Sequence, residues 1–295
     1  MLISLVMLAG SFSCSSQSAP SWARAVAGAA HQAPLARMVV LEIGTGHLLA
    51  STGLTEVART LAAPGSTLKP LVLYSLVAAG CWDPAHRIAC DRKLRVAGRS
   101  LNCSHPGTGP MDARQALAWS CNTYFAAVAG SLVPGQLRAL LAPTGLLTTT
   151  GLGPDEATAV FRDPRTPDQA RLALLGVDGI LVTPLELAFA YRWLALQLAA
   201  QPNSPAAQVV RAGLEDSASF GMAGAASLGG VPVAGKTGTA NSGPGGRSHG
   251  WFVALAPADL PQVVVAIYLP GAHGADAARL AGELLAHSPL RQGRP

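Results

Sequence analysis

Charged residues are scarce in this chain: Asp, Glu, Lys and Arg make up 13% of its 295 residues, whereas hydrophobic residues make up 49%. A chain of this length and composition can bury a substantial core, and we predict one folded domain. The net charge is +5, but the basic residues are diluted among Ala, Gly, Leu and Pro. Because nucleic-acid binding needs basic residues massed on one face, we expect no nucleic-acid partner.

The N-terminus lacks the positive residues that usually open a secretory signal, although residues 1–10 have the apolar character of its core. That stretch is too short to span a bilayer, and it turns polar at Ser11. We interpret residues 1–14 as a signal or lipoprotein-like segment of an exported protein, with Cys14 as a candidate for lipid attachment. Ordinary signal cleavage and a misassigned start codon are the alternatives. Contact with a membrane is expected only through such an anchor.

The remaining chain predicts an α+β domain behind a tether. Residues 15–37 show little periodicity and are interpreted as the tether, and the domain is placed at residues 38–290. Helical patterns with capping boxes at Asp112 and Thr183 predict an all-helical subdomain over roughly residues 80–225, inserted between strands. The split of the strands predicts a five-stranded antiparallel sheet built from both chain ends and flanked by helices. The strand-like runs are residues 38–43, 47–51, 231–234, 251–256 and 263–269.

Cysteines are few, and their pattern leaves two interpretations open. In an oxidising compartment Cys90 and Cys103 could close a short loop, and we predict this disulfide. The alternative is a metal site that uses Cys90, Cys103 and His105, but no fourth ligand appears at a useful spacing. We therefore predict neither a metal nor another cofactor. Cys121 is interpreted as a packed thiol, because no adjacent residue is basic enough to favour its thiolate.

Ser66 and Lys69 form the first pair of residues with catalytic potential. A turn at Pro64-Gly65 would place Ser66 at the start of a helix, with the Lys69 side chain beside it on the same face. A serine hydroxyl becomes a good nucleophile when a base takes its proton, and a lysine whose pKa is lowered by burial can be that base. An isolated pair at this spacing is more often a cap and a solvated cation.

Ser120 and Asn122 form the second motif, at the end of the segment that Asp112 caps. A hydroxyl at this place can relay a proton between Lys69 and a leaving amine. The Asn122 amide can hold both the lysine and a substrate amide. Taken alone, this motif is only a polar helix end.

The third motif is Lys236-Thr237-Gly238-Thr239, which follows an apolar run. On a strand beside a cleft, the Lys236 and Thr237 side chains could bind a C-terminal carboxylate. Gly238 would let an extended substrate pair closely with the strand edge. The three motifs in this order are those of serine acyltransferases that act on carboxylate-bearing amides.

In motif order and context the chain resembles the transpeptidase domain of penicillin-binding proteins, over roughly residues 36–285. The resemblance implies that Ser66 attacks the D-Ala-D-Ala amide of a peptidoglycan stem peptide and releases D-alanine from an acyl-enzyme. It also implies that β-lactam antibiotics acylate Ser66, and that the protein works in the periplasm or on the outer face of the cytoplasmic membrane. The stretches that carry the resemblance, besides the third motif, are residues 64–70, 120–125, 181–188 and 249–253.

The same resemblance implies a role for each motif residue. Lys69 would be the base, Ser120 the proton relay and Asn122 the orienting amide. Lys236 and Thr237 would bind the terminal carboxylate. The backbone N–H groups of Ser66 and Thr239 would form the oxyanion hole.

Three rival functions share parts of this machinery. A D,D-carboxypeptidase would use water in place of the acceptor amine after the same acylation. A β-lactamase is less expected, because no Glu-x-x-Leu-Asn element lies between the second and third motifs and because class D enzymes usually carry an apolar residue where Asn122 stands. A non-catalytic β-lactam sensor or scaffold would not be expected to keep the complete set of nucleophile, base, relay and anchor.

Overall fold

The computed structural model describes residues 21–107, 109–153, 155–241 and 246–291. The predicted signal segment, with Cys14, lies outside these residues. The helices are α1 Trp22–Gln32, α2 Leu54–Arg59, α3 Lys69–Ala78, α4 Ala113–Ala118, α5 Asn122–Gly130, α6 Gln136–Leu141, α7 Pro167–Leu174, α8 Pro184–Ala200, α9 Pro205–Ser219 and α10 Gly274–Ala286. The strands are β1 Arg37–Glu42, β2 Leu48–Ser51, β3 Arg95–Val96, β4 Arg99–Ser100, β5 Val160–Phe161, β6 Ile180–Leu181, β7 Ala234–Asn241, β8 Ser248–Ala256 and β9 Val263–Pro270. Short 3-10 helices cover Gly65–Leu68, Ala142–Thr144, Gly224–Gly229 and Pro289–Arg291.

The main sheet has five antiparallel strands in the order β2-β1-β9-β8-β7, which confirms the predicted sheet from both chain ends. One strand boundary is wrong in the prediction. The strand expected at residues 231–234 begins at Ala234 and runs to Asn241, so that Lys236 lies within it. The small and polar residues of this segment form a strand because the whole of β7 pairs with β8.

Both faces of the sheet are buried, and the strands are therefore apolar on both sides. Val39 and Leu41 of β1 face one core, formed with α3, α8 and the inserted helices, whereas Met38 and Val40 face a second core with α1 and α10. This alternation is the period of two that a pleated strand imposes. The nucleophile and its partners lie on the side of the first core.

The segment predicted as a tether is ordered from Trp22 onward. Ser21 caps α1 by accepting a hydrogen bond from the Arg24 N–H, and Ala25, Val26 and Ala29 are buried on one side of the helix. The helix packs against α10 and β2. Alanine is the best helix former, so a segment rich in Ala and poor in large apolar residues can be helical without a strong pattern. Among the described residues, none of the helices has the length and apolar composition required to cross a bilayer.

The inserted subdomain is helical except for two small sheets, which the prediction of an all-helical insertion did not include. Strand β3 pairs with β4, and β5 pairs with β6. Both predicted capping boxes are present, at Asp112 before α4 and at Thr183 before α8. The small sheets are only two residues long on each strand, which is too short to leave an alternating pattern in the sequence.

Candidate active site

Ser66 lies on the 3-10 turn Gly65–Leu68, which leads directly into α3. Gly65 has φ +57°, and a Cβ at this position would lie 2.8 Å from the Thr239 carbonyl oxygen. A glycine is required for this close approach between the turn and β7. This contact places the turn that carries Ser66 against Thr239 of β7, and the Ser66 side chain is half-buried.

Three buried side chains hold this turn, and they had no predicted role. His249 Nε2 lies 2.8 Å from the Ala63 carbonyl oxygen, and Trp251 Nε1 donates to the same oxygen at 2.9 Å. Burial lowers the pKa of His249, which favours a neutral ring that donates from Nε2. The Tyr191 hydroxyl donates to the Thr67 carbonyl oxygen at 2.9 Å. Residues 249–253 contribute to the sequence resemblance, but no role was predicted for them. In the structure, His249 and Trp251 from this stretch hold the Ala63 carbonyl oxygen just before the nucleophile turn.

Lys69 is completely buried in the first turn of α3. Its Nζ donates to the Ser120 carbonyl oxygen at 2.8 Å and to Asn122 Oδ1 at 2.7 Å, and it lies 3.4 Å from Ser120 Oγ. Burial lowers the pKa of Lys69 to about 8, although nearby thiol groups oppose the shift. A neutral amine has two N–H groups and a lone pair, so the two short hydrogen bonds leave the lone pair free to take a proton.

Ser120 stands between α4 and α5 with φ +55°, in the left-handed region that residues other than glycine rarely adopt. Such a conformation costs about 1–3 kcal/mol and is retained where surrounding contacts enforce it. The Ser120 hydroxyl oxygen accepts a hydrogen bond from Lys236 Nζ at 2.8 Å. Together with Lys69 on its other side, Ser120 connects the two buried lysines.

Lys236 lies on β7 and is completely buried. Besides Ser120, its Nζ contacts the Thr237 carbonyl oxygen at 3.0 Å. Burial and the charge of Lys69 lower the pKa of Lys236 well below its usual range. No carboxylate forms an ion pair with it within the described residues, so the ammonium lacks a counter-charge that an acidic ligand would supply.

The other residues of the third motif also meet at this place. Thr237 and Thr239 line the cleft, and Thr239 Oγ1 accepts a hydrogen bond from the Gly274 N–H at 2.9 Å. The structure shows a packing role for Gly238 in addition to the predicted one. A Cβ at Gly238 would lie 2.5 Å from the Pro64 carbonyl oxygen, so this glycine allows β7 to pack against the nucleophile turn.

All the motif residues border one cleft or support its wall. The cleft has a volume of about 270 Å³ and lies between β7, the nucleophile turn and the loop that precedes α4. Asn122 is fixed in its wall, because its Nδ2 donates to the Leu101 carbonyl oxygen at 3.1 Å while Oδ1 accepts from Lys69. The residues that line the cleft are Ser66, Ser100, Leu101, Asn102, Cys103, Ser104, Ser120, Asn122, Leu175, Val177, Met222, Thr237 and Thr239.

The cysteines do not form the predicted disulfide. Cys90 and Cys103 are free, with their sulfur atoms 3.6 Å apart, far longer than the roughly 2.05 Å of a disulfide. The structure also supplies the fourth potential metal ligand that the sequence spacing did not show. Cys121 is 3.9 Å from Cys103, because the loop before α4 folds back onto the start of α5. One ligand atom from each of Cys90, Cys103, His105 and Cys121 lies within 4.8 Å of the others.

The sheet is covered by helices on both faces. Beside its edge strand lie a serine, a second hydroxyl and two buried lysines, an arrangement typical of serine acyltransferases. The family profile described as "Penicillin binding protein transpeptidase domain" matches residues 37–287. The chain therefore belongs to the penicillin-binding protein transpeptidase family.

Two curated relatives are similar at low identity. "Peptidoglycan D,D-transpeptidase MrdA" of Acinetobacter baumannii is 26% identical over 274 residues, which cover 74% of this chain and 41% of that protein. "Peptidoglycan D,D-transpeptidase PbpA" of Mycobacterium tuberculosis is 25% identical over 264 residues, which cover 76% of this chain and 52% of that protein. The chain thus spans about half the length of these relatives.

Solved structures share the fold. The transpeptidase domain of Burkholderia pseudomallei penicillin-binding protein 3 has a TM-score of 0.79 at 21% identity and covers 93% of this chain and 96% of that chain. Pseudomonas aeruginosa PBP2, solved with WCK 5153, has a TM-score of 0.74 at 20% identity and covers 92% of this chain and 76% of that chain. Both confirm the α+β class with its five-stranded antiparallel sheet.

Proposed function

We propose that this chain is a serine D,D-transpeptidase that cross-links peptidoglycan stem peptides through an acyl-enzyme on Ser66. The observation that carries the proposal is the position of the Ser120 hydroxyl, 2.8 Å from Lys236 Nζ and 3.4 Å from Lys69 Nζ, on the cleft that Ser66 also lines. A hydroxyl beside a buried amine can relay a proton from that amine to a leaving group in the cleft. Such an arrangement suits acyl transfer on a substrate that carries a carboxylate.

Acylation uses the neutral form of Lys69. Its lone pair takes the proton of the Ser66 hydroxyl as the oxygen attacks the carbonyl carbon between the two D-alanines. The backbone N–H groups of Ser66 and Thr239 stabilise the oxyanion. The proton then passes through Ser120 to the leaving nitrogen, the C–N bond breaks and D-alanine leaves, while Ser66 keeps the acyl group.

Substrate recognition relies on Lys236 and Thr237. The terminal carboxylate of the substrate supplies the counter-charge that Lys236 lacks, and the buried setting strengthens this interaction relative to one in water. β-Lactams carry a carboxylate at a comparable distance from a strained amide, and they acylate Ser66 by the same route. Stem peptides and β-lactams are thus the proposed ligands, and no cofactor takes part in these steps.

Deacylation decides between transpeptidase and D,D-carboxypeptidase. When an amine from a second stem peptide attacks the acyl group, Lys69 takes its proton and passes it to Ser66 Oγ as the ester C–O bond breaks, which gives a cross-link and restores the enzyme. Water in place of the amine gives a tetrapeptide by the same proton transfers. The chemistry of the cleft serves both, and the names of the matched relatives favour transfer to an amine.

We place the protein outside the cytoplasm, in the periplasm or on the outer face of the cytoplasmic membrane. The support is the apolar stretch at residues 1–10 and the cell-wall activity in the names of its relatives. Lipid attachment at Cys14 is tested by incorporation of labelled palmitate into the full chain. A Cys14→Ser variant should lose this label, and equal labelling of both proteins would refute the anchor.

The acyl-enzyme is tested with a fluorescent penicillin. Wild-type protein should keep the label through denaturing electrophoresis, and Ser66→Ala should lose it. Ser131→Ala, an exposed serine at the end of α5, is the matched control and should label like the wild type. Labelling of Ser66→Ala would refute the nucleophile, and rapid loss of the label from wild type would indicate a β-lactamase.

The acceptor is tested with a pentapeptide donor and a labelled D-amino acid. A labelled exchange product supports the transpeptidase. Tetrapeptide without exchange product would instead identify a D,D-carboxypeptidase. Binding of penicillin without turnover of any peptide would favour the sensor or scaffold.

A further inference from the structure

Four side chains outside the proposed chemistry form a compact cluster beside the cleft, which Cys103 also lines. They are Cys90, Cys103, His105 and Cys121, and three of them are buried while Cys90 is half-buried. The sulfur atoms of Cys90 and Cys103 are 3.6 Å apart, those of Cys103 and Cys121 are 3.9 Å apart, and Cys90 Sγ is 3.7 Å from His105 Nε2. For tetrahedral Zn²⁺ with Zn–S bonds of about 2.3 Å, neighbouring sulfurs are about 3.8 Å apart. The cluster already has the dimensions of such a site.

Each sulfur atom also receives a backbone N–H. The Arg92 N–H donates to Cys90 Sγ at 3.3 Å, the Asn122 N–H to Cys103 Sγ at 3.1 Å and the Tyr124 N–H to Cys121 Sγ at 3.5 Å. Donors of this kind stabilise the negative charge of metal-bound thiolates and fix their orientation. Thiols buried only for packing behave as small hydrophobic groups and do not need such donors.

His105 is oriented as a metal-ligating histidine would be. Its Nδ1 lies 2.7 Å from the Pro106 carbonyl oxygen, which fixes the proton on Nδ1. Nε2 is then the unprotonated nitrogen, and this nitrogen faces the sulfur of Cys90. A backbone carbonyl on the far ring nitrogen is the usual partner of a histidine bound to zinc.

A disulfide explains less of this arrangement. A Cys90–Cys103 bond would use two of the four groups and would give no role to the Cys121 thiol or to the inward-facing nitrogen of His105. Three sulfurs and one imidazole form a closed ligand set of the type found in structural zinc sites, and soft thiolate ligands favour zinc over magnesium or calcium.

We propose that Cys90, Cys103, His105 and Cys121 bind one structural Zn²⁺ ion that fastens the loop before α4 to the start of α5. Binding displaces the three thiol protons into solvent as the Zn–S bonds form. The ion would hold the segment on which Ser120 and Asn122 stand, since Cys121 lies between them in the sequence. The site does not depend on the proposed transpeptidase activity.

The first test is the metal content of the full chain. The protein is purified without chelators, and its metals are measured by inductively coupled plasma mass spectrometry. The wild type should contain about one Zn²⁺ per chain, and Cys103→Ser and Cys121→Ser should contain at least fivefold less. Cys81→Ser is the matched control, because Cys81 is exposed and lies outside the cluster. Equal zinc in wild type and both cluster variants would mean adventitious metal and would overturn the proposal.

A second test uses only wild-type protein, so that misfolded variants cannot obscure the result. Co²⁺ added to chelator-treated protein should give the intense absorption of tetrahedral cobalt with thiolate ligands, saturate at one equivalent and be displaced by Zn²⁺. Alkylation and peptide mapping should find Cys90, Cys103 and Cys121 protected until a chelator is added, and Cys81 reactive throughout.

Three results would overturn the assignment. They are the absence of the cobalt spectrum, a Cys90–Cys103 disulfide in protein purified from the exported fraction, and stoichiometric iron or copper in place of zinc. None of these measurements uses Ser66 or a β-lactam, so their failure would leave the proposed transpeptidase activity untouched. A failure of penicillin labelling would equally leave the zinc site standing.

Discussion

At the scale of single residues, the site depends on how burial changes the charge of two lysines. Lys69 and Lys236 approach the same hydroxyl, and both are completely removed from solvent. Burial disfavours the ammonium form of each, and the charge of Lys69 further lowers the pKa of Lys236. The pair works as base and anchor when Lys69 is neutral and Lys236 is charged, and a carboxylate bound beside Lys236 favours that charge.

The pH dependence of acylation should report the base. With a pKa of about 8, Lys69 is largely protonated at pH 7 and largely neutral at pH 9. We expect the rate of penicillin acylation to rise with pH and to level off above about 8, since only the neutral amine can accept the Ser66 proton. Stopped-flow measurement of acylation between pH 6 and 9.5 checks this, and a rate independent of pH would contradict Lys69 as the base.

At the scale of elements, the site forms where β7 passes the turn before α3. Two glycines make this close approach possible. Gly65 of the turn packs against Thr239 of β7, and Gly238 of β7 packs against Pro64, which precedes the turn. The contact leaves no room for a side chain on either backbone. Strand β7 therefore sets the distance between the nucleophile and the carboxylate anchor.

A Gly238→Ala variant should push β7 away from the nucleophile turn. The new methyl group would lie 2.5 Å from the Pro64 carbonyl oxygen. The backbone shift that removes such a clash typically lowers the free energy of unfolding by about 1–3 kcal/mol. We expect a lower Tm together with a loss of penicillin acylation of at least tenfold. Gly44→Ala is the control, because a Cβ at Gly44 meets nothing within 4 Å. Acylation at the wild-type rate would show that the site tolerates this shift.

Local signals predicted most of the elements, and contacts between distant segments explain what was missed. The capping boxes before α4 and α8 and the apolar runs of β1, β8 and β9 are written in short stretches of sequence. Strand β7 was placed too early because its Lys-Thr-Gly-Thr segment is not apolar, and pairing with β8 decides its structure.

The cysteine cluster was missed for a related reason. Its members come from a loop and from the start of α5, and Cys121 reaches the others only after the chain has folded back. Spacing in the sequence therefore gives no sign of a fourth ligand. The motif residues of the cleft were predictable because each motif carries its own context: a turn, a capped helix and an apolar run.

At the scale of the whole molecule, the sheet separates two cores with different tasks. The core on the side of α3 and α8 supports the nucleophile turn, for example through Tyr191, whereas the core on the side of α1 and α10 closes the opposite face. Helix α1 belongs to this second core and not to a tether. Its contribution should therefore appear in stability and leave the chemistry intact.

Ala29 and Ala27 provide a matched pair to test α1. Ala29 is 3% exposed in the second core, whereas Ala27 faces solvent. We expect Ala29→Asp to lower the free energy of unfolding by about 2–4 kcal/mol, because it buries a charge without a partner. Ala27→Asp should change it by less than about 0.5 kcal/mol. Chemical denaturation measures both free energies of unfolding. Equal stability of the two variants would show that α1 does not stabilise the domain and would support the predicted tether.

The crowding of two buried amines around Ser120 also makes ligand capture a proton-uptake event. Without an acidic ligand, burial and the charge of Lys69 lower the pKa of Lys236, whereas a bound carboxylate would raise it again. Association of a slowly reacting peptide analogue should therefore be accompanied by net proton uptake from solvent. Its calorimetric heat would then vary with the ionisation enthalpy of the buffer, and an ester analogue that lacks the acid should show no such variation.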